Sequence, residues 1–258
     1  MALGTFISGN LQSVNPPSGV DQIAKVSLLQ GFANKLWLIW LSTSSLQILT
    51  GKCVSDENTS VIELASDLTI AITSAGKNGL SAGSEASNTH YFVWLLLNPT
   101  TLEVAAILDV SATSPTLSHA SLAGFTKKRL LGSMRNNASS NFVKVAQRGW
   151  GNHRFYWFLE NSDGILRLLA GGTATSFTDL DCSSLLPPTA TVAQIALEAT
   201  SQQGRLRPNG ESMTDWFEVP AGGFGKTTIP VASDGIIEYR TSSGGSVNVE
   251  VIGYEEDI

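Results

Sequence analysis

Charge is what this sequence has least of. Asp, Glu, Lys and Arg supply 15% of its 258 residues, where an ordinary soluble domain carries about 25%. Hydrophobic residues make up 42% and aromatics 8%, which excludes an intrinsically disordered chain, since such chains are charge-rich and aromatic-poor. The few charges lean acidic, 22 against 16, for a net −6. Nucleic acid is bound chiefly by neutralising phosphates with Lys and Arg, so no nucleic-acid partner is expected. The one basic run, Lys127-Lys128-Arg129, lacks interleaved aromatics on which bases could stack and reads as the start of a strand.

Cysteine, histidine and long apolar runs are scarce too. Cys53 and Cys182 lie far apart and outside any CxxC pair; alone they make neither a disulfide framework nor a zinc site, so a reducing place of synthesis is expected. His90, His119 and His153 have no i, i+4 metal spacing, and neither metal nor cofactor is expected. The most apolar runs, Leu36 to Leu41 and Tyr91 to Leu97, fall far short of the roughly 18 residues of a membrane helix. Met1-Ala2-Leu3-Gly4 has no early positive charge, so the expectation is cytoplasmic synthesis without a recognisable leader and without membrane insertion.

What the chain does have is hydroxyls and turns: Ser and Thr fill about a fifth of it, with 24 glycines. That composition suits short strands better than helices. Leu68, Ile70 and Ile72 alternate with Thr69 and Ala71, and Val247, Val249 and Val251 with Asn248 and Glu250, the period of a half-buried strand. Tyr91 to Leu97 and Val104 to Val110 flank Asn98-Pro99-Thr100-Thr101, which reads as a hairpin. Many short strands with turns about every 8 to 12 residues predict an all-β fold of two β-sandwich or jelly-roll-like modules. The expected division is an extended arm at 1–24, a first β-module at 25–182, a linker at 183–191 around Leu186-Pro187-Pro188-Thr189, and a second β-module at 192–258. The arm is expected to dock on another protein.

Catalytic spellings fail on context. Gly79-Leu80-Ser81-Ala82-Gly83 has the G-x-S-x-G form but follows an Asn-Gly turn and precedes a strand, where a nucleophile elbow needs a helix. Gly222-Gly223-Phe224-Gly225-Lys226-Thr227 resembles the end of a phosphate loop, yet Pro220 stands where the first glycine is required and no helix follows. Asp179 and Asp181 read as a solvated turn, and Glu255-Glu256-Asp257 as a solvated tail.

One cluster stands out. Trp150, Phe155, Tyr156, Trp157 and Phe158 lie within nine residues, with Phe155 and Trp157 on one strand face and Tyr156 and Phe158 on the other. A strand apolar on both faces must be covered on both. One face can enter the core; the other is a subunit interface or a platform for stacking sugars. Trp150, Phe155, Tyr156, Trp157 and Trp216 are therefore the candidate interface or glycan-stacking residues, with no catalytic residue assigned.

A run of residues carries a resemblance. Gly79-Leu80-x-x-Gly83-Ser84-Glu85-Ala86-x-x-Thr89-x-Tyr91 leads into the hairpin, then Ser111 to Leu117, then Gly124-Phe125-Thr126-Lys127-Lys128-Arg129-Leu130-Leu131-Gly132-Ser133-Met134-Arg135-Asn136. This order resembles a β-rich structural module of tailed-bacteriophage virion proteins, over roughly Leu36 to Phe158. Asp234 to Tyr254 is similar to the C-terminal β-module that often accompanies it; Ser118 to Leu122 is longer than the turn of that family. The resemblance implies a non-enzymatic virion component, a tail or head fibre or appendage, usually oligomeric and most often trimeric. Its expected partners are further copies, other virion proteins through the arm, and a host-surface glycan. The alternatives are a glycan- or receptor-binding adhesin module, a capsid decoration protein, and a polysaccharide depolymerase, for which nothing singles out a carboxylate pair.

Overall fold

The computed structural model describes residues 32–159, 166–213, 216–232 and 234–258. The arm expected over 1–24 lies outside them. In chain order the strands are β1 (Ala33–Lys35), β2 (Leu38–Ser42), β3 (Ser45–Ile48), β4 (Gly51–Val54), β5 (Val61–Leu64), β6 (Leu68–Ala71) and β7 (Gly79–Leu80). There follow β8 (His90–Leu97), β9 (Val104–Asp109), β10 (Lys127–Arg135), β11 (Val145–Trp150), β12 (His153–Phe158) and β13 (Arg167–Gly172). The last are β14 (Thr178–Asp181), β15 (Ala190–Ala199), β16 (Gly204–Pro208), β17 (Phe217–Val219), β18 (Phe224–Pro230), β19 (Ile236–Thr241) and β20 (Val247–Asp257). Among the described residues helix is confined to a 3-10 turn at Ala120–Leu122, so the chain is all-β.

Among the described residues the strands form four sheets. The largest has the order β18-β15-β20-β12-β11-β2-β3-β6, with β13 also paired to β20; the others are β1-β4-β5, β10-β8-β9-β7 and β14-β19-β16-β17. The parallel pair β7–β9 departs from an otherwise antiparallel scheme. The seam expected at 183–191 does not divide the sheets. Strand β20 pairs with β15 on one side and with β12 on the other, placing Asp257 opposite His153. One apolar core runs through Leu46, Tyr91, Ile195 and Val249, and Leu185 and Leu186 of the supposed linker are buried. Alternation marks a strand but not its neighbour, so a strand far along the chain can complete a sheet begun near its start.

β8 is buried on both faces. Tyr91, Val93, Leu95 and Leu97 face the large core. Phe92, Trp94 and Leu96 face a second cluster, closed by Leu122 and Phe125 and flanked by Leu117. The connection from β9 to β10 is thus a lid over the outer face of this sheet, tied down where the Trp94 indole donates to the Ser111 carbonyl at 3.0 Å. The residues by which Ser118 to Leu122 exceeds the expected turn include the 3-10 turn that delivers Leu122, with the His119 ring accepting from the Ser121 amide.

The sheets are joined by a buried polar cluster on Glu256, which is 0% exposed. Its carboxylate accepts from the Ser133 amide (3.1 Å) and hydroxyl (3.2 Å) on β10 and from the Thr189 hydroxyl (2.6 Å). The Tyr156 hydroxyl also donates to it. Gln147 donates to that Tyr156 oxygen at 2.6 Å while its own carbonyl takes the Leu38 amide at 2.6 Å. Burial pushes the Glu256 carboxyl above the ordinary carboxylate range, against the donors from Thr189, Tyr156 and Ser133, which pull it down. A buried carboxyl is tolerable when its oxygens are filled with donors in this way.

Gly132 makes room for the cluster. It sits at a register shift of β10 against β8, at φ 142°. A Cβ there would run into the Tyr156 hydroxyl, the Gln147 amide and the Glu256 carboxylate. Gly132→Ala is expected to destabilise the fold by about 3 kcal/mol, combining overpacking with backbone strain. Glu256→Ala, which orphans several buried donors, is expected to cost roughly 2 to 4 kcal/mol; urea denaturation of both variants measures this.

Candidate functional site

The aromatic cluster falls on the β11–β12 hairpin, and the two strand faces separate as their alternation requires. Arg154 (1% exposed) and Tyr156 (0%) point inward, with Phe158 packed on the core. Tyr156 stacks on Tyr254, centroids 4.4 Å apart. It is therefore no contact residue, which corrects its place among the stacking candidates: its hydroxyl is committed to Glu256 and Gln147, and its ring to Tyr254.

His153, Phe155 and Trp157 point the other way. Trp150 at the end of β11 is 71% exposed, Trp157 38%, and Phe155 half-buried between them. The Trp150 and Phe155 centroids are 5.1 Å apart, and the His153 ring meets Phe155 edge-on at 4.5 Å. Phe155 and Trp157 lie 6.0 Å apart with their planes within 9° of parallel. The result is a row of rings on the outer face of the large sheet.

The neighbouring strand β20 lays polar groups beside each ring. Asp257 stands opposite His153, Glu255 opposite Phe155, and Gly253 opposite Trp157. The His153 ring bridges the two carboxylates, Nδ1 to Asp257 at 2.7 Å and Nε2 to Glu255 at 3.1 Å. Burial works against charging His153, but the hydrogen bonds to Asp257 and Glu255 outweigh it and raise its pKa above the ordinary value. Gly253 lies where the backbone is crowded: a Cβ would meet the Tyr156 carbonyl and the Gln194 side chain. Gln194 of β15, opposite Gly253, donates to Glu255 at 3.5 Å. On the other flank, Arg148 of β11 lies over the Trp37 ring at 5.6 Å.

Trp216 is not part of this row. Its indole donates at 3.2 Å to the carbonyl of Thr228, on β18 at the margin of the large sheet, so it covers a strand edge. Thr228, Gln194, Gly253 and Trp157 are successive register partners. Three strand spacings, about 14 Å, therefore separate the Trp157 backbone from the strand Trp216 covers.

The supposed solvated tail is a second correction. β20 continues through Glu255, Glu256 and Asp257, with the middle carboxylate buried and the outer two in the site. Between Val251 and Gly253 the pairing with β15 shifts register, so the inward side changes from odd to even positions. That bulge hid Glu255 and Asp257 from a reading based on strict alternation, while His153 and Gln194 join the site through the pairing of β12 and β15 with β20. The one legible signal was that strand-like residues continue past Val251 to the acidic triplet.

The remaining reactive groups are committed elsewhere. The Ser81 hydroxyl donates to Asp109 at 2.5 Å and is buried. Burial pushes both Cys53 and Cys182 thiols up to about 12, and burial next to Arg135 pulls His90 down to about 4. Among the described residues no group of three or more His, Cys, Asp or Glu could hold a metal ion, and no helix is long and apolar enough to cross a membrane. No known protein-family model matches the chain, and no curated protein matches it in sequence.

Two outcomes follow from this geometry. Trp150→Ala and Trp157→Ala are expected to change unfolding free energy by about 1 kcal/mol or less, whereas Tyr156→Ala costs roughly 3 to 5 kcal/mol as a buried aromatic. The His153 bridge, with a pKa raised on folding, stabilises fully below about pH 6.5 and fades as pH rises through the folded value. Its side chain is 28% exposed, so the stability difference between wild type and His153→Gln should be about 1 kcal/mol at most, largest at low pH. Denaturation of both proteins across pH 5 to 9 reads it.

Proposed function

We propose that the chain is a non-enzymatic structural subunit of a tailed-bacteriophage particle, a fibre or appendage of head or tail that works as an oligomer within the virion. The observation that carries this reading is how the residues that resemble the virion module are used. Gly79 and Leu80 form β7, Tyr91 to Leu97 and Val104 to Asp109 form the central hairpin, and Lys127 to Arg135 form β10, so the segments that carry the resemblance make one sheet with its connections. The Tyr91 hydroxyl accepts from the Ala86 amide at 2.7 Å, and Asn136 donates to Glu85 at 2.8 Å, which pins the Gly-Ser loop to the sheet. Asp109 gathers the Ser81 hydroxyl and the amides of Ser111 (2.7 Å) and Thr116 (2.8 Å), which pins the other connection.

All of these polar side chains are spent on holding shape, and this supports a building block over a catalyst. A sheet buried on both faces with its connections tied down is rigid, which suits a particle component. The low charge supports the same reading, since a surface of hydroxyls and amides costs less to desolvate in subunit contacts than one of ions. The symmetry expected from the resemblance is three-fold; the arm at 1–24 is assigned the contact with the particle.

Light scattering coupled to size exclusion tests the reading. A trimer of the 27.3 kDa chain is expected to give about 82 kDa. A clean monomer would sink the oligomeric fibre and favour a decoration protein or a lone binding module.

A further inference from the structure

We propose that the outer face of β12 and β20 is a binding platform for a neutral saccharide chain, with Phe155 and Trp157 taking the C–H faces of successive sugar rings while Glu255, Asp257 and Gln194 bond their hydroxyls. The inference is separate from the particle role and stands on different observations.

The row of rings is the first. Phe155 and Trp157 occupy alternate positions of one rigid strand with planes 9° apart, and Tyr156 between them is locked in the core. The rings are therefore held by the sheet and lose little freedom on binding. The second is what lies beside them. The centre of a protein–protein contact is depleted of charge, because each carboxylate there must be stripped of water. Here two carboxylates stand one strand away from the rings, Glu255 directly opposite Phe155 and Asp257 two positions on. Sugar hydroxyls replace that water with donors of their own, so a polyhydroxyl ligand fits a surface that an apolar partner does not.

The third is the floor beside the rings. Gly253 opposite Trp157 has no side chain of its own, and the Gln194 side chain lies over it, an amide able to donate and accept. The charge beside this floor sets the ligand class. The carboxylates lie on the β20 side where the floor is, while Arg148 is on the β11 side, held over Trp37. A uronate or sulfate lying across Gly253 would meet Glu255, and so a neutral chain is favoured.

Titration calorimetry of the 258-residue chain with cellohexaose, chitohexaose and mannohexaose, and with hexagalacturonate as the acidic counterpart, tests the platform. At least one neutral hexamer is expected to bind with Kd of about 1 mM or tighter. Trp157→Ala and Phe155→Ala should each weaken it about tenfold or more, Trp157→Phe should retain part of the affinity, and Trp216→Ala should leave it unchanged. All four variants should keep the wild-type melting temperature within a few degrees and the same light-scattering mass. No binding to any neutral hexamer, a preference for hexagalacturonate, or undiminished affinity in both ring variants would overturn the proposal. A changed mass in Trp157→Ala would also overturn it, making the face a contact between copies. A monomer that binds a neutral hexamer sinks the oligomeric subunit and keeps the platform; an oligomer that binds none does the reverse.

Discussion

A carboxyl group with no access to water organises this molecule. Glu256 is tolerated inside only because β10, β12 and the segment before β15 each bring a donor to it, and those donors are placed only if the strands keep their register. A slip of β20 by one residue would bury Glu255 or Asp257 without donors and turn Glu256 to solvent, the costliest arrangement for a buried ion. The polar cluster therefore acts as a registration device: it contributes less through the strength of its bonds than through the penalty on every alternative pairing.

The exposed row of rings follows from the same constraint. Its inward counterpart, Tyr156, is held by Glu256, Gln147 and Tyr254, which fixes which way β12 faces. Phe155 and Trp157 are then presented outward on a strand that cannot roll. The bulge of β20 at 251–253 places Glu255 and Asp257 on the side of the rings. Core and surface are two readouts of one hairpin, and the polar network sets the phase between them.

Much of this was legible in particular residues. The alternation of Val247, Val249 and Val251, the Asn98-Pro99 turn between two apolar runs, and the scarcity of helix-forming charge all specify strands locally, and strands formed there. Phe155 and Trp157 were separable from Tyr156 and Phe158 by parity alone. The grouping of Trp216 with the hairpin aromatics was not legible, because nothing local to Trp216 says which edge it will cover. The division at 183–191 failed for a similar reason: Pro187 and Pro188 do interrupt the pattern, but an interruption in the chain is not a gap in space.

The amino-acid sequence by itself determined the fold class, the positions of most strands and the two-faced character of the β11–β12 hairpin, since these rest on steric preference and on a period of two read over a few residues. Only the tertiary structure decided that β20 lies between β12 and β15, that the middle residue of Glu255-Glu256-Asp257 is buried, and that the other two flank His153 beside the rings. Those outcomes depend on pairings between residues about 60 to 125 positions apart. The free energy of such pairings comes from burying and satisfying groups together, which no local stretch of sequence encodes.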